Sequence, residues 1–250
     1  MAKEWFKPTN IGVSPFDASY IEEFELPLER TKQEIKSLGI VISAMSKKPR
    51  TLDIAGSFGR IGSELISQNL VASLVNLDLN EQFLQMARKN QITRVIRGDM
   101  RNLAFRDKSF DLALIMFTSF GYFEKKPDDL GVIKEAYRVL DQDGMLVLDL
   151  PNYTRISDNF SPDREMLLKN KDIIRYRKRL EGGYLVEERT RIKRNGAEEN
   201  LLPIKLRVYS PESIVELCQD AGFNKIRITD QELKDFSELN SRRSWVLCTK

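Results

Sequence analysis

Three carboxylates and one glycine-containing turn stand where strands of the chain are predicted to end. Asp53 lies in the first predicted strand, Asp78 ends the second and Asp99 follows the third, while the turn 55–59 has the sequence Ala-Gly-Ser-Phe-Gly. One carboxylate can accept hydrogen bonds from both hydroxyls of a ribose, and another can accept from the amino group of adenine. Glycine lets a ligand approach the main chain closely. These residue types predict a ligand that contains a nucleoside.

The neighbours of these groups complete the predicted site. Leu79 and Met100 each follow a carboxylate and, with Phe117, offer apolar surface for a flat base. The carboxyl ends of parallel strands meet at one edge of an open α/β sheet, and ligands bind at that edge. The turn 55–59 also leads into an amphipathic helix, so a helix N-terminus faces the same edge. We therefore expect one site there.

Composition excludes several classes of function. The chain has 250 residues, 41% of them hydrophobic and 31% charged, which is typical of a globular protein. It has no apolar run of the ~20 residues that a membrane helix needs and no signal-peptide pattern, so we expect a cytoplasmic protein with no membrane partner. Two cysteines make neither a disulfide framework nor a metal site. Histidine is absent, which excludes Ser-His-Asp and Cys-His catalysis.

Strands alternate with helices over 49–152 and again over 210–250, which predicts an α/β fold. The expected fold is a Rossmann-like, mostly parallel seven-stranded sheet with helices on both faces, an N-terminal helical cap and an inserted antiparallel β-meander. The predicted strands are 52–54, 70–78, 93–97, 110–117, 145–150, 223–228 and 244–249. The predicted helices of this core are 61–70, 81–90, 128–140 and 211–221.

Two further segments are predicted to pack on this core or cover its edge. Residues 1–48 form the cap, with one helix from Asp17 and a second over 28–45. Residues 153–209 form the insertion. Its predicted strands are 173–180, 184–194 and 201–209, joined by hairpin turns at Gly182-Gly183 and Asn195-Gly196. No long linker divides the chain, so we expect a single domain over 1–250.

The order of these motifs resembles the class I (Rossmann-like) S-adenosylmethionine-dependent methyltransferases of the type that modifies small molecules. Segment 52–60 is similar to the first motif of that family, Asp78 to the acidic residue of the second, and segment 97–101 to the third. Segment 109–123 is similar to the motif of the fourth strand, and segment 138–144 to the helix-to-strand turn that follows it.

This resemblance implies S-adenosyl-L-methionine as the cofactor, S-adenosyl-L-homocysteine as its product, and no metal. The residues that it implies for the cofactor are Asp53, Ala55, Gly56, Ser57, Gly59, Asp78, Leu79, Asp99, Met100, Arg101, Phe117 and Tyr122. The residues that we expect at the methyl acceptor are Phe16, Tyr20, Ser119 and Arg207. Catalytic residues stay unassigned, with Tyr20 and Tyr122 as candidates for a base.

The absent histidine favours nitrogen over oxygen as the methyl acceptor, because a neutral amine already carries its lone pair. We expect a small-molecule acceptor and a monomer or homodimer. An RNA or tRNA substrate is the alternative, since residues 164–207 hold thirteen Lys/Arg against seven Asp/Glu. A further alternative is a protein that binds the cofactor without turnover, because Ser57 stands where the family usually has glycine.

Overall fold

The computed structural model describes residues 28–158, 163–168 and 170–250. The predicted helix from Asp17, with Phe16 and Tyr20, lies outside these residues. The helices are α1 (Leu28–Ser43), α2 (Arg60–Ser67), α3 (Glu81–Lys89), α4 (Lys126–Val139), α5 (Tyr153–Asp158) and α6 (Pro211–Asp220). The strands are β1 (Arg50–Ile54), β2 (Ser73–Asp78), β3 (Val95–Arg97), β4 (Phe110–Ile115), β5 (Leu140–Pro151), β6 (Asp163–Leu167), β7 (Ile173–Glu181), β8 (Tyr184–Ile192), β9 (Glu198–Asn200), β10 (Ile204–Arg207), β11 (Lys225–Thr229) and β12 (Arg243–Thr249).

A seven-stranded sheet in the order β11-β12-β5-β4-β1-β2-β3 organises the chain. Strands β1 to β5 run parallel, whereas β12 is antiparallel to both of its neighbours. The predicted Rossmann-like, mostly parallel sheet is confirmed. The strand order reverses at the β1–β4 pair, so the carboxyl ends of β1 and β4 flank the crevice where an open α/β sheet binds its ligands.

Helices cover both faces of this sheet. On one face α1 and α2 bury Leu38 and Leu65 in an apolar cluster with Leu112 and Trp245. On the other face α4 and α6 contribute to a second cluster, which includes Ile133 of α4. The helix predicted over 28–45 therefore packs on the sheet rather than over its edge. Within the described residues, every helix is too short or too polar to cross a lipid bilayer.

Strand β5 is longer than the sequence predicts. It begins at Leu140 directly after α4, whereas the sequence predicts a turn at Asp143-Gly144 and a strand over 145–150. Its pairing with β4 shifts register, with Leu140 opposite Phe110 and Met145 opposite Leu112. Asp143 takes a positive φ of 63° within this irregularity. The turn signal therefore marks a bulge inside a continuous strand.

The predicted meander is a separate antiparallel sheet in the order β10-β8-β7-β6, with β9 paired to β8. The turn between β7 and β8 lies at Gly182-Gly183, as the sequence predicts, and both glycines have positive φ. Strands β6 and β9 are additional to the three predicted strands. Their side chains are mostly exposed, so neither segment shows the alternation of apolar and polar residues that marks a half-buried strand.

Carboxylates on the same sheet neutralise much of the basic charge of this segment. The ion pairs are Arg175–Glu165, Arg177–Asp163, Lys178–Glu187, Arg179–Glu188, Arg191–Asp172 and Lys193–Glu199. Opposite charges that face each other across strands stabilise a sheet by roughly 0.2–1 kcal/mol per pair. The charge excess counted along 164–207 is therefore broken up by acidic neighbours instead of forming one continuous basic surface.

The antiparallel sheet meets the loop after β4 at Gly121. The Arg207 N–H donates to the Gly121 carbonyl at 2.7 Å. Gly121 has a φ of 102°, which side chains rarely adopt, and a Cβ there would lie 2.5 Å from the Arg207 carbonyl oxygen. This close approach of two backbones requires glycine.

Substituting Gly121→Ala is therefore expected to lower the free energy of unfolding by about 1–3 kcal/mol, because the added methyl group forces the two segments apart. Gly131→Ala is the matched control, since a Cβ at this position of α4 meets no atom within 4 Å. Urea unfolding of both variants measures the difference. Equal stability of the two variants would contradict the tight junction at Gly121.

Candidate functional site

The turn 55–59 follows a left-handed path between β1 and α2. Ala55, Ser57 and Gly59 all have positive φ, at 54°, 53° and 78°. Residues with a Cβ rarely adopt this conformation, and it costs on the order of 1 kcal/mol for each. Ser57 therefore keeps the backbone path that glycine adopts without cost. Gly59 also lacks room for a side chain, because a Cβ would lie 2.1 Å from Cδ1 of Ile92.

Gly56 brings two buried acceptors against the turn. A Cβ on Gly56 would lie 1.9 Å from Asn76 Oδ1 and 2.7 Å from Asp53 Oδ2, so only glycine fits. Both oxygens are buried, and neither accepts a hydrogen bond from any described residue. The Asn76 amide instead uses its NH₂ group, which donates to the Ser57 carbonyl at 2.9 Å. A buried acceptor without a donor costs roughly 1–3 kcal/mol, so the turn holds two acceptors that favour a donor or a cation.

Asp78 ends β2 and binds the turn directly. Its Oδ2 accepts the Ser57 N–H at 2.9 Å, and its Oδ1 accepts the Asn80 N–H at 2.8 Å. Burial raises the pKa of Asp78 to about 6, although these backbone hydrogen bonds partly offset the effect. Asp78 of the neighbouring strand, and not Asp53, therefore accepts the N–H of Ser57.

The pKa of Asp53 is raised further than the pKa of Asp78. Burial, reinforced by the nearby charge of Asp78, raises the pKa of Asp53 to about 7, although the charge of Arg60 acts in the opposite direction. Arg60 does not bind Asp53, because its guanidinium pairs with Glu34 of α1 at 2.5 Å. Two carboxyls with raised pKa values therefore lie at the carboxyl ends of adjacent strands, where a positive ligand would stabilise their charged forms.

Asp99 is held by Arg101 in the loop after β3. Arg101 donates from Nη2 to Asp99 Oδ2 at 2.6 Å, and its backbone N–H donates to Oδ1 at 2.9 Å. Partial burial opposes ionisation of Asp99, but these bonds and the charge of Arg101 outweigh it and lower the pKa of the carboxyl. Leu79 and Met100 are both half-buried next to the carboxylates that they follow in the sequence.

The loop after β4 is strained and tightly held. Phe117 and Thr118 are consecutive residues with positive φ, at 54° and 64°. Asp149 of β5 accepts the Phe117 N–H at 2.9 Å, and its own carbonyl accepts the Thr118 N–H at 3.0 Å. Arg243 of β12 binds the Asp149 carboxylate and donates to Thr118 Oγ1 at 2.6 Å. The buried Asp149–Arg243 pair thus fixes a backbone conformation that would be unfavourable alone.

A cleft of about 580 Å³ opens between this loop, β5, α5 and the antiparallel sheet. Its lining residues are Arg30, Phe117, Thr118, Tyr122, Pro151, Asn152, Arg155, Ile156, Arg164, Lys178, Leu185, Glu187, Ile204, Leu206, Arg242 and Arg243. The guanidinium of Arg30 lies 4.4 Å from the centre of the Phe117 ring, within cation–π range. The volume suits a small molecule.

Of the predicted site residues, the structure brings Phe117 and Tyr122, both predicted for the cofactor, to this cleft, and it leaves the predicted acceptor residues Ser119 and Arg207 out. Tyr122 lines it, but burial and the nearby charge of Glu187 raise the pKa of Tyr122, which disfavours a phenolate at neutral pH. Ser119 is absent from the lining and donates to the Met116 carbonyl at 2.9 Å. Arg207 is also absent, because its guanidinium binds Asp129 and the carbonyls of the loop before α4. The place of Arg207 at the acceptor therefore stays a prediction, and this cleft does not support it.

Sequence reasoning missed Asn76, Asp149, Arg243 and Arg30. Asp149 carried a usable signal, since it is a carboxylate inside an apolar strand run, 145–150. Arg243 and Arg30 carried none, because each lies beside a predicted strand or on a polar helix and meets its neighbours only in the folded chain. Asn76 lies inside an apolar run, and the sequence does not show that the glycine turn packs on its amide.

The part of the chain that forms this site is similar in sequence to known proteins. Residues 52–148 match the family described as "Methyltransferase domain". The chain is 28% identical over 135 residues to a putative methyltransferase, YqeM, of Bacillus subtilis, which covers 52% of this chain and 53% of the relative. It is 30% identical over 113 residues to the glycine/sarcosine N-methyltransferase of Aphanothece halophytica, which covers 44% and 43%. The chain thus matches about half the length of these relatives.

Solved structures match over a much larger share. The CcbJ methyltransferase of Streptomyces caelestis superposes with a TM-score of 0.78 at 14% identity, covering 97% of this chain and 98% of the other. At that identity the likeness concerns the fold. It includes the parts of the chain outside 52–148, and therefore the antiparallel sheet that forms one wall of the cleft.

The raised pKa of Asp53 predicts an unusual pH dependence of stability. Asp53 binds its proton more tightly in the folded protein than in the unfolded chain, so this group makes the free energy of unfolding fall as pH rises from about 4 to about 7. Asp53→Asn removes that loss and is expected to be more stable than the natural protein at pH 8, by on the order of 2–4 kcal/mol. Urea unfolding at several pH values measures the difference.

Asp111→Asn is the matched control with the opposite sign. Arg50 binds the Asp111 carboxylate through Nε at 2.9 Å and holds the pKa of Asp111 well below its usual range. Its stabilisation is present at neutral pH and is lost as pH falls, so this variant is expected to be less stable than the natural protein at pH 8. If Asp53→Asn also lost stability at pH 8, Asp53 would have a stabilising partner that this account lacks.

Proposed function

We propose that this chain contains a class I, Rossmann-like S-adenosylmethionine-dependent methyltransferase domain and that the protein transfers a methyl group from S-adenosyl-L-methionine to a small-molecule acceptor. One observation carries the proposal. Two buried acceptors without donors, Asp53 Oδ2 and Asn76 Oδ1, lie against the glycine turn, at the same edge of the sheet as a cleft lined by Phe117.

The cofactor's chemistry fits the residues at this edge. S-adenosyl-L-methionine supplies a methyl group on a positively charged sulfonium sulfur, and its amino group is a second cation. A buried carboxylate is costly unless it is paired, so Asp53 gains most from a cationic ligand held next to Gly56. Ala55, Ser57 and Gly59 would hold the main chain around that end of the ligand.

The residues that would bind the nucleoside are assigned from the hydrogen bonds that each carboxylate can still accept and from the apolar surface beside it. We assign Asp78 to the ribose hydroxyls, because it lies at the turn and its carboxylate, which accepts the backbone N–H groups of Ser57, Leu79 and Asn80, retains acceptor capacity. Asp99 is assigned to the adenine amino group, with Arg101 keeping it ionised. Leu79 and Met100 offer half-buried apolar surface for the base.

Methyl transfer of this kind depends on holding the acceptor in line and excluding water, which contributes through proximity and orientation. No histidine exists in the chain, and the raised pKa of Tyr122 disfavours it as a base. An oxygen acceptor usually needs a base, whereas a neutral amine does not, so nitrogen is favoured over oxygen. The name of one relative, a glycine/sarcosine N-methyltransferase, agrees with a nitrogen acceptor.

Two alternatives receive less support. An RNA substrate would need a continuous basic surface, but acidic neighbours pair with the basic residues of the antiparallel sheet. A binding protein without turnover would follow from a damaged turn, but Ser57 keeps a positive φ and its N–H bonds to Asp78. We further propose that the chain acts as one unit, with the core over 49–152 and 210–250 and the insertion over 153–209 forming the acceptor cleft.

Calorimetric titration with S-adenosyl-L-methionine and S-adenosyl-L-homocysteine tests the proposal, with release of S-adenosyl-L-homocysteine from a panel of amines and hydroxyl compounds as the assay of turnover. Asp78→Asn is expected to weaken binding of both nucleosides at least tenfold, about 1.4 kcal/mol, because the ribose loses its charged acceptor. Asp143→Asn is the control, since Asp143 lies in the bulge of β5 and asparagine tolerates its positive φ.

The outcomes separate the parts of the proposal. Absence of binding by both nucleosides would overturn the methyltransferase activity. Unchanged affinity of Asp78→Asn would show that the ribose lies elsewhere. Binding without turnover on any amine or hydroxyl compound would favour the non-catalytic alternative.

A further inference from the structure

The lining of the cleft is unusually cationic. Among its sixteen residues are six Lys/Arg and a single acid, Glu187. The six are Arg30, Arg155, Arg164, Lys178, Arg242 and Arg243. A concave site lined by charges of one sign concentrates the field and attracts ligands of the opposite sign.

Three of these cations already have carboxylate partners. Arg243 binds Asp149, Lys178 binds Glu187 at 2.6 Å, and Arg30 binds Glu34 at 3.0 Å. These pairs are part of the folded architecture and leave little charge for a ligand.

The other three, Arg155, Arg164 and Arg242, have no carboxylate within 4 Å in the part of the chain that the structure describes. They come from three elements: Arg155 lies in α5, Arg164 in β6, and Arg242 directly before β12. Arg155 and Arg164 belong to the insertion, 153–209, and Arg242 belongs to the core. Arg164 is also held over the Tyr176 ring at 4.5 Å, which limits the freedom of its guanidinium. Guanidinium groups bind carboxylate and phosphate oxygens in a bidentate manner.

The mouth of the cleft carries positive charge, whereas its interior is apolar. Arg164 and Arg242 are exposed, whereas Ile204 and Leu206 of β10 are buried. Arg30 and Arg243 both lie over the Phe117 ring, and burial together with the charge of Arg243 lowers the pKa of Arg30, so like charges stand close together on this side of the cleft. A ligand with an anionic group at the mouth and an apolar or neutral part inside would match this order.

We infer that the methyl acceptor carries an oxyanion, a carboxylate or a phosphate, which Arg155, Arg164 and Arg242 bind while its reacting atom lies towards Phe117. This inference rests on the proposed function, because it names the chemical class of that acceptor. The cluster lies in a cleft of about 580 Å³, not on an extended face, which favours a small anionic molecule over a polynucleotide.

Calorimetry with two probes tests the anion site: inorganic phosphate for the phosphate arm and citrate for the carboxylate arm. Each probe is titrated into the natural protein, into Arg164→Gln/Arg242→Gln, and into Arg94→Gln/Arg106→Gln. The last pair is the matched control, because both arginines are exposed, have no carboxylate partner among the described residues, and precede β3 and β4, at the opposite edge of the sheet. All titrations are run with and without S-adenosyl-L-homocysteine.

At least one probe is expected to bind the natural protein and the control, and to bind Arg164→Gln/Arg242→Gln at least tenfold more weakly, with unchanged affinity for S-adenosyl-L-homocysteine. The probe that binds more tightly shows whether the site prefers a phosphate or a carboxylate. Equal affinity in the two double variants, or no binding of either probe to any protein, would overturn the inference while leaving the proposed function intact. Failure of the nucleosides to bind would overturn the proposed function and with it the identification of the ligand as a methyl acceptor, whereas the anion titrations without nucleoside decide separately whether the arginines bind an oxyanion.

Amine acceptors then extend the test to turnover. Glycine and glycinamide differ in the carboxylate, and sarcosine and its amide repeat the comparison on a secondary amine. Carboxylates are expected to be methylated with a higher kcat/KM than their amides, and the preference is expected to shrink in Arg164→Gln/Arg242→Gln but not in the control. A preference for the amides in the natural protein, or RNA methylation that both double variants retain equally, would contradict the inference.

Discussion

The approach of β1 and β2 to the glycine turn is the constraint on which the rest of the site depends. Gly56 packs so closely against Asn76 and Asp53 that no side chain fits, and Asp78 then binds the N–H of Ser57. This packing buries two carboxyls side by side and raises both pKa values. Such an arrangement is unfavourable by itself, and a cationic ligand would relieve it. The two buried carboxyls therefore lower the free energy of unfolding, and the proposed cofactor would supply the positive charge that they lack.

A second constraint shapes the cleft. The backbone of Phe117 and Thr118 is held in a left-handed conformation by Asp149, which is itself held by Arg243 from the antiparallel strand β12. The carbonyl of Gly121, in the same loop, accepts the N–H of Arg207 and so joins the loop to the antiparallel sheet. One loop therefore connects the parallel core with the inserted sheet and fixes the distance between the two walls of the cleft.

The sequence predicted the core of this arrangement well, because its signals are local. Apolar runs with carboxylates at their ends gave β1, β2 and the positions of Asp53 and Asp78, and the order of motifs gave the sheet. The cleft was predicted poorly, since Arg155, Arg164 and Arg242 come to line it only through the fold. Counting charges along 164–207 suggested a nucleic-acid surface, but pairing across strands, as between Lys178 and Glu187, removes much of that charge. Sequence order shows neither which cations are paired nor which remain free.

Proton release on cofactor binding is the measurement that tests the central claim most directly. Calorimetry with S-adenosyl-L-methionine at pH 7, in buffers of different ionisation enthalpy, gives the number of protons released. Because the pKa of Asp53 lies at about 7, a bound cation that ionises it is predicted to release about half a proton, and Asp53→Asn is predicted to lose this release. A heat of binding that is independent of the buffer, or the same release from Asp53→Asn, would contradict the account.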